Sequence, residues 1–308
     1  MLRKGVNSMS TRPRFITEFN CEYGVMVNIS PTVRRIVAQN PGPFTFKGTG
    51  TYVVGHGKVA VIDPGPDLPA HVDALLAALD GEEITHQLIT HTHIDHSPAA
   101  RLLQARTGAP TYGFGPHGAG KYEKGAKVEE GGDQDFTPDH VLRHGDCVAG
   151  EGWSFDSIHT PGHTSNHLCY AYREENALFP GDHVMGWSTT VVSPPDGDMR
   201  EYLNSLRHLS ERNDQIYYPT HGAPIEDPIP FIRGLIAHRK MRERQIISVL
   251  EAGENTIPDM VPGMYKGLDP RLISAAQRSV FAHVIDLVER GKISCKGELV
   301  IDSILHLS

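Results

Sequence analysis

Cysteine is scarce in this chain of 308 residues: Cys21, Cys147, Cys169 and Cys295 stand far apart, with no Cys-x-x-Cys pair. That spacing argues against a disulfide framework and a cysteine-built zinc site, and it fits a reducing compartment. Long apolar runs are missing as well. No stretch approaches the roughly 18 apolar residues that a membrane span needs. Positive charge is in deficit, with 29 Lys and Arg against 37 Asp and Glu for a net charge of −8, a balance that gives no general attraction to nucleic acid. The basic start MLRKGVNSMSTRPR lacks the apolar core of a secretory signal and reads as a tail, or as residues ahead of a start at Met9. These absences set the expectation of a cytoplasmic globular protein. Hydrophobic residues at 39% and charged residues at 21% agree with it, and the length is that of about two domains.

What the chain has in excess is histidine, 18 residues in all. The surrounding pattern alternates strands and helices. TYVVGHGKVAVID gives two β runs split by Gly-His-Gly, a hairpin signature. PAHVDALLAAL (69–79) has helical spacing, Gln87 to Thr90 form a short apolar strand, and residues 97–107 read as a helix closed by Gly108. Residues 113–140 are Gly-rich and mixed in charge, a length of loop that is functional or disordered inside a compact domain. Short strands recur from 141 to 181, followed by an amphipathic helix at 199–212 and a last strand at 215–218. The order predicts an α+β protein with two packed sheets and helices outside them.

Three imidazoles and a carboxylate fall within six residues in His91-Thr92-His93-Ile94-Asp95-His96, just past a strand. Neutral imidazole with carboxylate suits zinc, manganese or iron, whereas an oxygen-only set would point to magnesium or calcium. One loop cannot fill two coordination spheres, so further donors are needed. Three stand at strand-to-loop junctions: His163 in Thr-Pro-Gly-His-Thr, Asp182 in Pro-Gly-Asp-His and His221 in Pro-Thr-His-Gly. Gly162, Gly181 and Gly222 beside them allow sharp backbone bends. Most other histidines, among them His56, His71, His140 and His183, read as structural or surface residues. His117 is a secondary pocket candidate, and His167 reads as core or as support behind the ligands.

The string His-x-His-x-Asp-His, then Pro-Gly-His, Gly-Asp and Thr-His-Gly in that order, resembles the metallo-β-lactamase-fold hydrolases over about residues 51–222. The resemblance implies a four-layer αββα sandwich. It also implies that His91, His93 and His163 hold one metal, that Asp95, His96 and His221 hold the second, and that Asp182 bridges them. Asp63 in VIDPGP resembles the family's first motif and would brace the metal loop. Two zinc ions, or manganese or iron, are the implied cofactors. Dications about 3.5–4 Å apart can share a hydroxide whose pKa falls toward about 7. Asp95 and Asp182 are then the carboxylates nearest the chemistry, and no Ser or Cys nucleophile is called for.

Past Asp227-Pro228 the character changes. A long helix at 229–252 carries the basic run HRKMRER, a second helix spans 270–290, and two short strands follow around Gly291 and Gly297. Helices closed by a β-wing are the order of a winged-helix module, which divides the chain into a catalytic domain at 1–227 and a C-terminal domain at 228–308. The first part holds 18 basic and 28 acidic residues, and the second holds 11 and 9. GWSTTVVSPPDGDMREYLNSLRHL after Asp182, with the tail, is similar to the group around β-lactamase-like protein 2, from which the Gly-rich insert and the Pro-rich turn at 193–198 depart.

The expected reaction is cleavage of an ester, thioester, lactone or phosphodiester by metal-bound hydroxide on a small-molecule substrate. Single-stranded RNA is an alternative substrate that the resemblance brings in, along with a tail packed beside the active site; Arg239, Lys240, Arg242 and Arg244 are then the phosphate contacts or, alternatively, a solvated helix face or a cap over the catalytic domain. A non-catalytic DNA- or protein-binding module is the remaining reading, and self-association as a homodimer stays open.

Overall fold

A computed structural model describes residues 13–121, 131–253 and 255–308; the middle of the Gly-rich insert and the basic start lie outside them. Seven strands form the first sheet in chain order: β1 (Val27–Asn28), β2 (Val33–Val37), β3 (Gly50–Val54), β4 (Lys58–Ile62), β5 (Glu83–Leu88), β6 (Thr111–Gly113) and β7 (His140–Val141). The Gly-His-Gly turn makes β3 and β4 an antiparallel pair. Helix α1 (Pro69–Ala78) then carries the chain over to β5, which lies parallel to β4 with Ile62 opposite Leu88. Helix α2 (Ala99–Thr107) ends at Gly108 in the left-handed conformation, as the sequence predicts.

The second sheet runs β12-β11-β10-β9-β8, from β8 (Cys147–Gly150), β9 (Trp153–His159), β10 (Leu168–Tyr172), β11 (Ala177–Phe179) and β12 (Ile216–Tyr217). Helix α3 (Met199–Ser210) precedes β12 and is capped by the Asp198 carboxylate, which accepts from the N–H groups of Arg200 and Glu201. Alternation along β9 turns Trp153 and Phe155 inward to meet Tyr52, Ile62 and Leu88 from the first sheet, with Tyr170, Tyr172 and Phe179 completing the layer between the sheets. The outer face of the first sheet packs Ile36, Val59 and Val61 against Val72, Leu75 and Leu103 of α1 and α2. That of the second sheet packs Ile158, Cys169 and Leu178 against Tyr202, Leu206 and Leu209 of α3. The result is the expected αββα stack. Each fully buried Leu, Ile or Val contributes about 1.5–3 kcal/mol, so these three apolar layers hold the loops at the sheet ends in place.

Helix α4 (Pro228–Glu251) serves two cores: Phe231, Ile232 and Leu235 pack with α3, and Ile246 joins the C-terminal cluster. That cluster gathers Met260 and Val261 of α5 (Ile257–Met264), Val280, Val284 and Leu287 of α6 (Ile273–Glu289), and the ribbon of β13 (Ile293–Cys295) with β14 (Leu305–Leu307). The wing's second strand begins later than the apolar pattern of ELVIDSIL predicts. Val300 is 49% and Ile304 56% exposed, so neither has a buried face to pair against.

Candidate metal centre

The site follows from strand direction. Parallel pairing of β4 and β5 brings Asp63, just past β4, beside the loop that leaves β5 with His91, His93, Asp95 and His96. In the second sheet β9 and β11 run the same way, each antiparallel to β10, and β12 is parallel to β11. His163, Asp182 and His221 follow the ends of β9, β11 and β12, so all three emerge at one end of that sheet. Two glycines set the final approach. Gly162 (φ +137°) lies so close to α3 that a Cβ would stand 2.3 Å from the Tyr202 backbone, and at Gly181 (φ +51°) one would stand 2.8 Å from Thr90. Side chains at either position would push His163 or Asp182 out of the cluster.

The seven expected donors converge. His91, His93 and His163 form one set, Asp95, His96 and His221 another, and Asp182 joins His91 and His96, the ligand atoms within each set lying within 4.8 Å of one another. His91 Nε2 is 3.0 Å from His93 Nδ1. His221 Nε2 is 3.1 Å from Asp95 Oδ2 and 3.4 Å from Asp182 Oδ1, while His96 Nε2 is 3.4 Å from Asp95 Oδ2.

The second nitrogen of each ring fixes its tautomer, because a carbonyl or carboxylate can only accept. His163 Nδ1 donates to Val191 O (2.6 Å), His221 Nδ1 to Gly48 O (3.1 Å) and His96 Nδ1 to Asp63 Oδ2 (2.9 Å). His91 Nδ1 donates to the Thr90 hydroxyl (3.1 Å), which in turn donates to Asp63 (2.7 Å). Nε2 is thereby left as the ligand atom on all four rings, the arrangement metal-binding histidines require. With both rings neutral, the Nε2 atoms of His96 and His221 and Asp182 Oδ1 are buried with no donor between them. Unpaired buried polar atoms cost about 1–3 kcal/mol each, and a cation relieves all three. The donor set therefore fits divalent metal.

Asp63 is the hub, as its motif implies. It is fully buried at φ +48° and accepts from Thr90 N (2.8 Å), Thr90 Oγ1, His96 Nδ1 and Thr220 Oγ1 (3.1 Å), tying the loops of both sheets together. The charge pattern is complementary. Burial would lower His96 and His221, but the Asp95 and Asp182 carboxylates outweigh it and hold His96 well above the usual imidazole range and His221 at about 10. Burial would raise Asp95 and Asp182, and the same two imidazoles hold both well below the carboxylate range. Burial and the neighbouring rings keep His91 neutral. In the metal-free protein, then, protons on His96 and His221 occupy the place that a cation takes.

Several supports escape the sequence reading. Gly131 and Asp133, at the end of the Gly-rich insert, bind the metal loop through Ile94 N to Gly131 O (2.9 Å) and Asp133 N to Thr92 O (2.7 Å). Asp133 also accepts from Ser97 and Arg101. His117, a pocket candidate in the sequence, is instead paired with the Thr92 hydroxyl (2.9 Å) and is not among the residues lining the cavity, whereas His167 stacks on His91, in keeping with its reading as support behind the ligands. Trp187 stacks on Phe46, and Thr190 donates to the carbonyl oxygens of Asp182 and His183, so neither lines the cavity.

Arg239, expected as a phosphate contact or solvated cation, is 2% exposed. It donates to Thr190 O and lies over the Tyr202 ring, clamping the loop that carries Val191. Arg242 stacks on Tyr265, which leaves only Lys240 and Arg244 of that cluster exposed.

A cavity of about 600 Å³ opens over the donors, with His93, Asp95, His163 and Asp182 in its wall. Its other lining comes from Phe44, Ile94, Met185 and Val191 and from the tail, through Arg271, Ser274 and Arg278. The tail thus closes one side of the site, as the likeness to the β-lactamase-like protein 2 group implies.

Comparison with known proteins agrees with this geometry. Residues 45–221 match the metallo-β-lactamase superfamily, and residues 256–299 match the β-lactamase-associated winged-helix domain. The lactamase-like protein adaB of Aspergillus niger is 31% identical over 88% of this chain and 84% of its own length. An atrochrysone carboxyl ACP thioesterase of Aspergillus chevalieri is 36% identical over 72% of this chain and 67% of its own. A β-lactamase-like protein 2 homologue of Caenorhabditis elegans is 34% identical over 73% of both. In fold, a β-lactamase domain protein from Burkholderia ambifaria superposes with TM-score 0.76 at 21% identity, over 92% of this chain and 94% of that one. The chain belongs to the metallo-β-lactamase superfamily and is a hydrolase of that fold with a C-terminal winged-helix domain.

Proposed function

We propose that this protein is a binuclear metal-dependent thioester hydrolase acting on a small molecule in the cytoplasm. In this reading His91, His93 and His163 hold one divalent cation, Asp95, His96 and His221 hold the second, and Asp182 is shared between them. Zinc suits the imidazole–carboxylate set, as do manganese and iron. The observation that carries the reading is the convergence of seven donors at one cavity of about 600 Å³, four of them, His93, Asp95, His163 and Asp182, in its wall, within the usual size of a small-molecule site. Bound there, such a pair supplies Lewis acidity and a water acidic enough to attack near neutral pH.

The chain's own residues do the rest. Asp95, held by the Thr49 hydroxyl at 3.2 Å, keeps its carboxylate among the donors, where it can orient the attacking water. Asp63 keeps the loops in register, and Phe44, Ile94, Met185 and Val191 offer an apolar bed for an acyl group.

The leaving group favours a thioester. Among the described residues lining the cavity, no histidine, lysine or tyrosine stands outside the donor set to act as a general acid. A thiol of pKa about 8.5 departs as thiolate without one, whereas an alkoxide or amine needs the proton. The thioesterase names among the relatives agree. RNA is disfavoured, because two of the four basic residues at 239–244 are taken up by the protein itself.

The test is a panel of acyl thioesters, lactones and bis-p-nitrophenyl phosphate, assayed before and after chelation. Thioesters should be turned over, lose turnover on chelation and regain it with zinc. Undiminished hydrolysis in the stripped protein refutes the reading.

A further inference from the structure

We infer that the winged-helix tail builds an anion subsite into the cavity, centred on Arg278 and the Ser193 hydroxyl, so that the substrate carries a carboxylate or phosphate besides its scissile bond. This deepens the thioesterase reading and rests on it. Three observations meet here. Arg271 and Arg278 both line the cavity, but Arg271 is paired with Asp269 at 2.7 Å, whereas Arg278 forms no ion pair among the described residues. A half-buried guanidinium facing a cavity without a carboxylate partner retains its full charge for a ligand.

Ser193 lines the same cavity at 8% exposure, and its Oγ has no hydrogen-bond partner. A buried hydroxyl left unpaired costs free energy that a bound acceptor recovers. Ser274 and Ala275, in the first turn of α6, also face the cavity, so the positive end of that helix adds to the same field.

The lining also has apolar members, among them Phe44 at 51% and Ile94 at 57% exposure. The cavity therefore matches a ligand with an apolar body and one anionic end, and its volume of about 600 Å³ is that of a small molecule. The anion has two sources: phosphate on the thiol side, as in coenzyme A, or carboxylate on the acyl side.

The experiment uses the zinc-loaded full chain and three probes. These are butyryl-coenzyme A, the neutral butyryl thioester of N-acetylcysteamine, and the glutaryl thioester of N-acetylcysteamine. Arg278→Gln should lower the ratio of kcat/KM for the preferred anionic probe to that for the neutral one by about tenfold or more, as loss of one charge-assisted hydrogen bond predicts. Arg278→Lys should recover most of that ratio, with zinc content unchanged. The probe that responds identifies the side bearing the charge.

Calorimetry with free coenzyme A and with glutarate reads the subsite even where no thioester is cleaved. Binding to the wild type that Arg278→Gln abolishes supports the subsite independently of turnover. An unchanged ratio for both anionic probes overturns the proposal, as does absence of binding by either anion. Binding of an unstructured oligoribonucleotide that requires Arg278, with no response to either small anion, overturns it in favour of RNA.

Discussion

Asp182→Ala should reduce thioester hydrolysis to the level of the chelated wild type, a loss of at least about 10³-fold, while the protein stays folded. The carboxylate stands 3.4 Å from His221 Nε2 and 3.6 Å from His96 Nε2, at the point where the two donor sets meet. Without it no single side chain spans both sets. The remaining donors are His91, His93 and His163 on one side and Asp95, His96 and His221 on the other. The fold should survive because the Asp182 side chain belongs to the cavity wall and to none of the apolar cores. Its backbone oxygen also keeps its bond from the Thr190 hydroxyl at 2.8 Å. Steady-state kinetics, zinc content and a thermal melt followed by circular dichroism check the three parts separately. Near wild-type activity in the variant would remove Asp182 from the mechanism.

Asp63→Ala acts on the scaffold instead. Its carboxylate accepts four hydrogen bonds from Thr90, His96 and Thr220, all buried. Alanine leaves those donors facing a void, which costs about 3–5 kcal/mol by analogy with breaking a buried charged contact. The backbone adds to this, because φ +48° suits Asp or Asn far better than Ala. Asp63→Asn is therefore the informative partner: it keeps the turn and one acceptor oxygen, while removing the charge and turning the other oxygen into an amide donor. Urea unfolding of the stripped protein should show a large loss for Ala and a smaller one for Asn. Competition with a zinc chelator should show both variants weakened by about 10–100-fold, the usual effect of removing the carboxylate behind a metal-bound imidazole. Zinc affinity equal to wild type in both would mean that Asp63 does not orient His96.

Why the donors were legible and their surroundings were not has a physical basis. Each donor follows a strand within a few residues, so short strings such as HTHIDH or PTHG record both the chemistry and the bend that delivers it. Asp63 was readable for the same reason. Arg239 was not, because a charged residue in an amphipathic run reads as solvent-facing. Here α4 is covered on two sides, by α3 and by the tail, so the guanidinium is buried against Thr190 O and Tyr202. Arg278 and Ser193 lie 85 positions apart in the chain and meet at the cavity only through the docking of α6, which leaves no local pattern. Asp133 was hidden in the same way, as one acid in a charge-mixed segment whose partner, Arg101, sits on another element.

The central claim is tested most directly by titrating zinc into the chelator-stripped full chain by calorimetry at two pH values. Two equivalents should bind. Because the Asp95 and Asp182 carboxylates hold His96 well above its usual range and His221 at about 10, both rings carry protons at neutral pH that zinc must displace. Uptake should therefore release protons, and apparent affinity should rise from pH 6 to pH 8. Binding of no zinc, or of one equivalent with no further uptake in excess metal, would contradict the account.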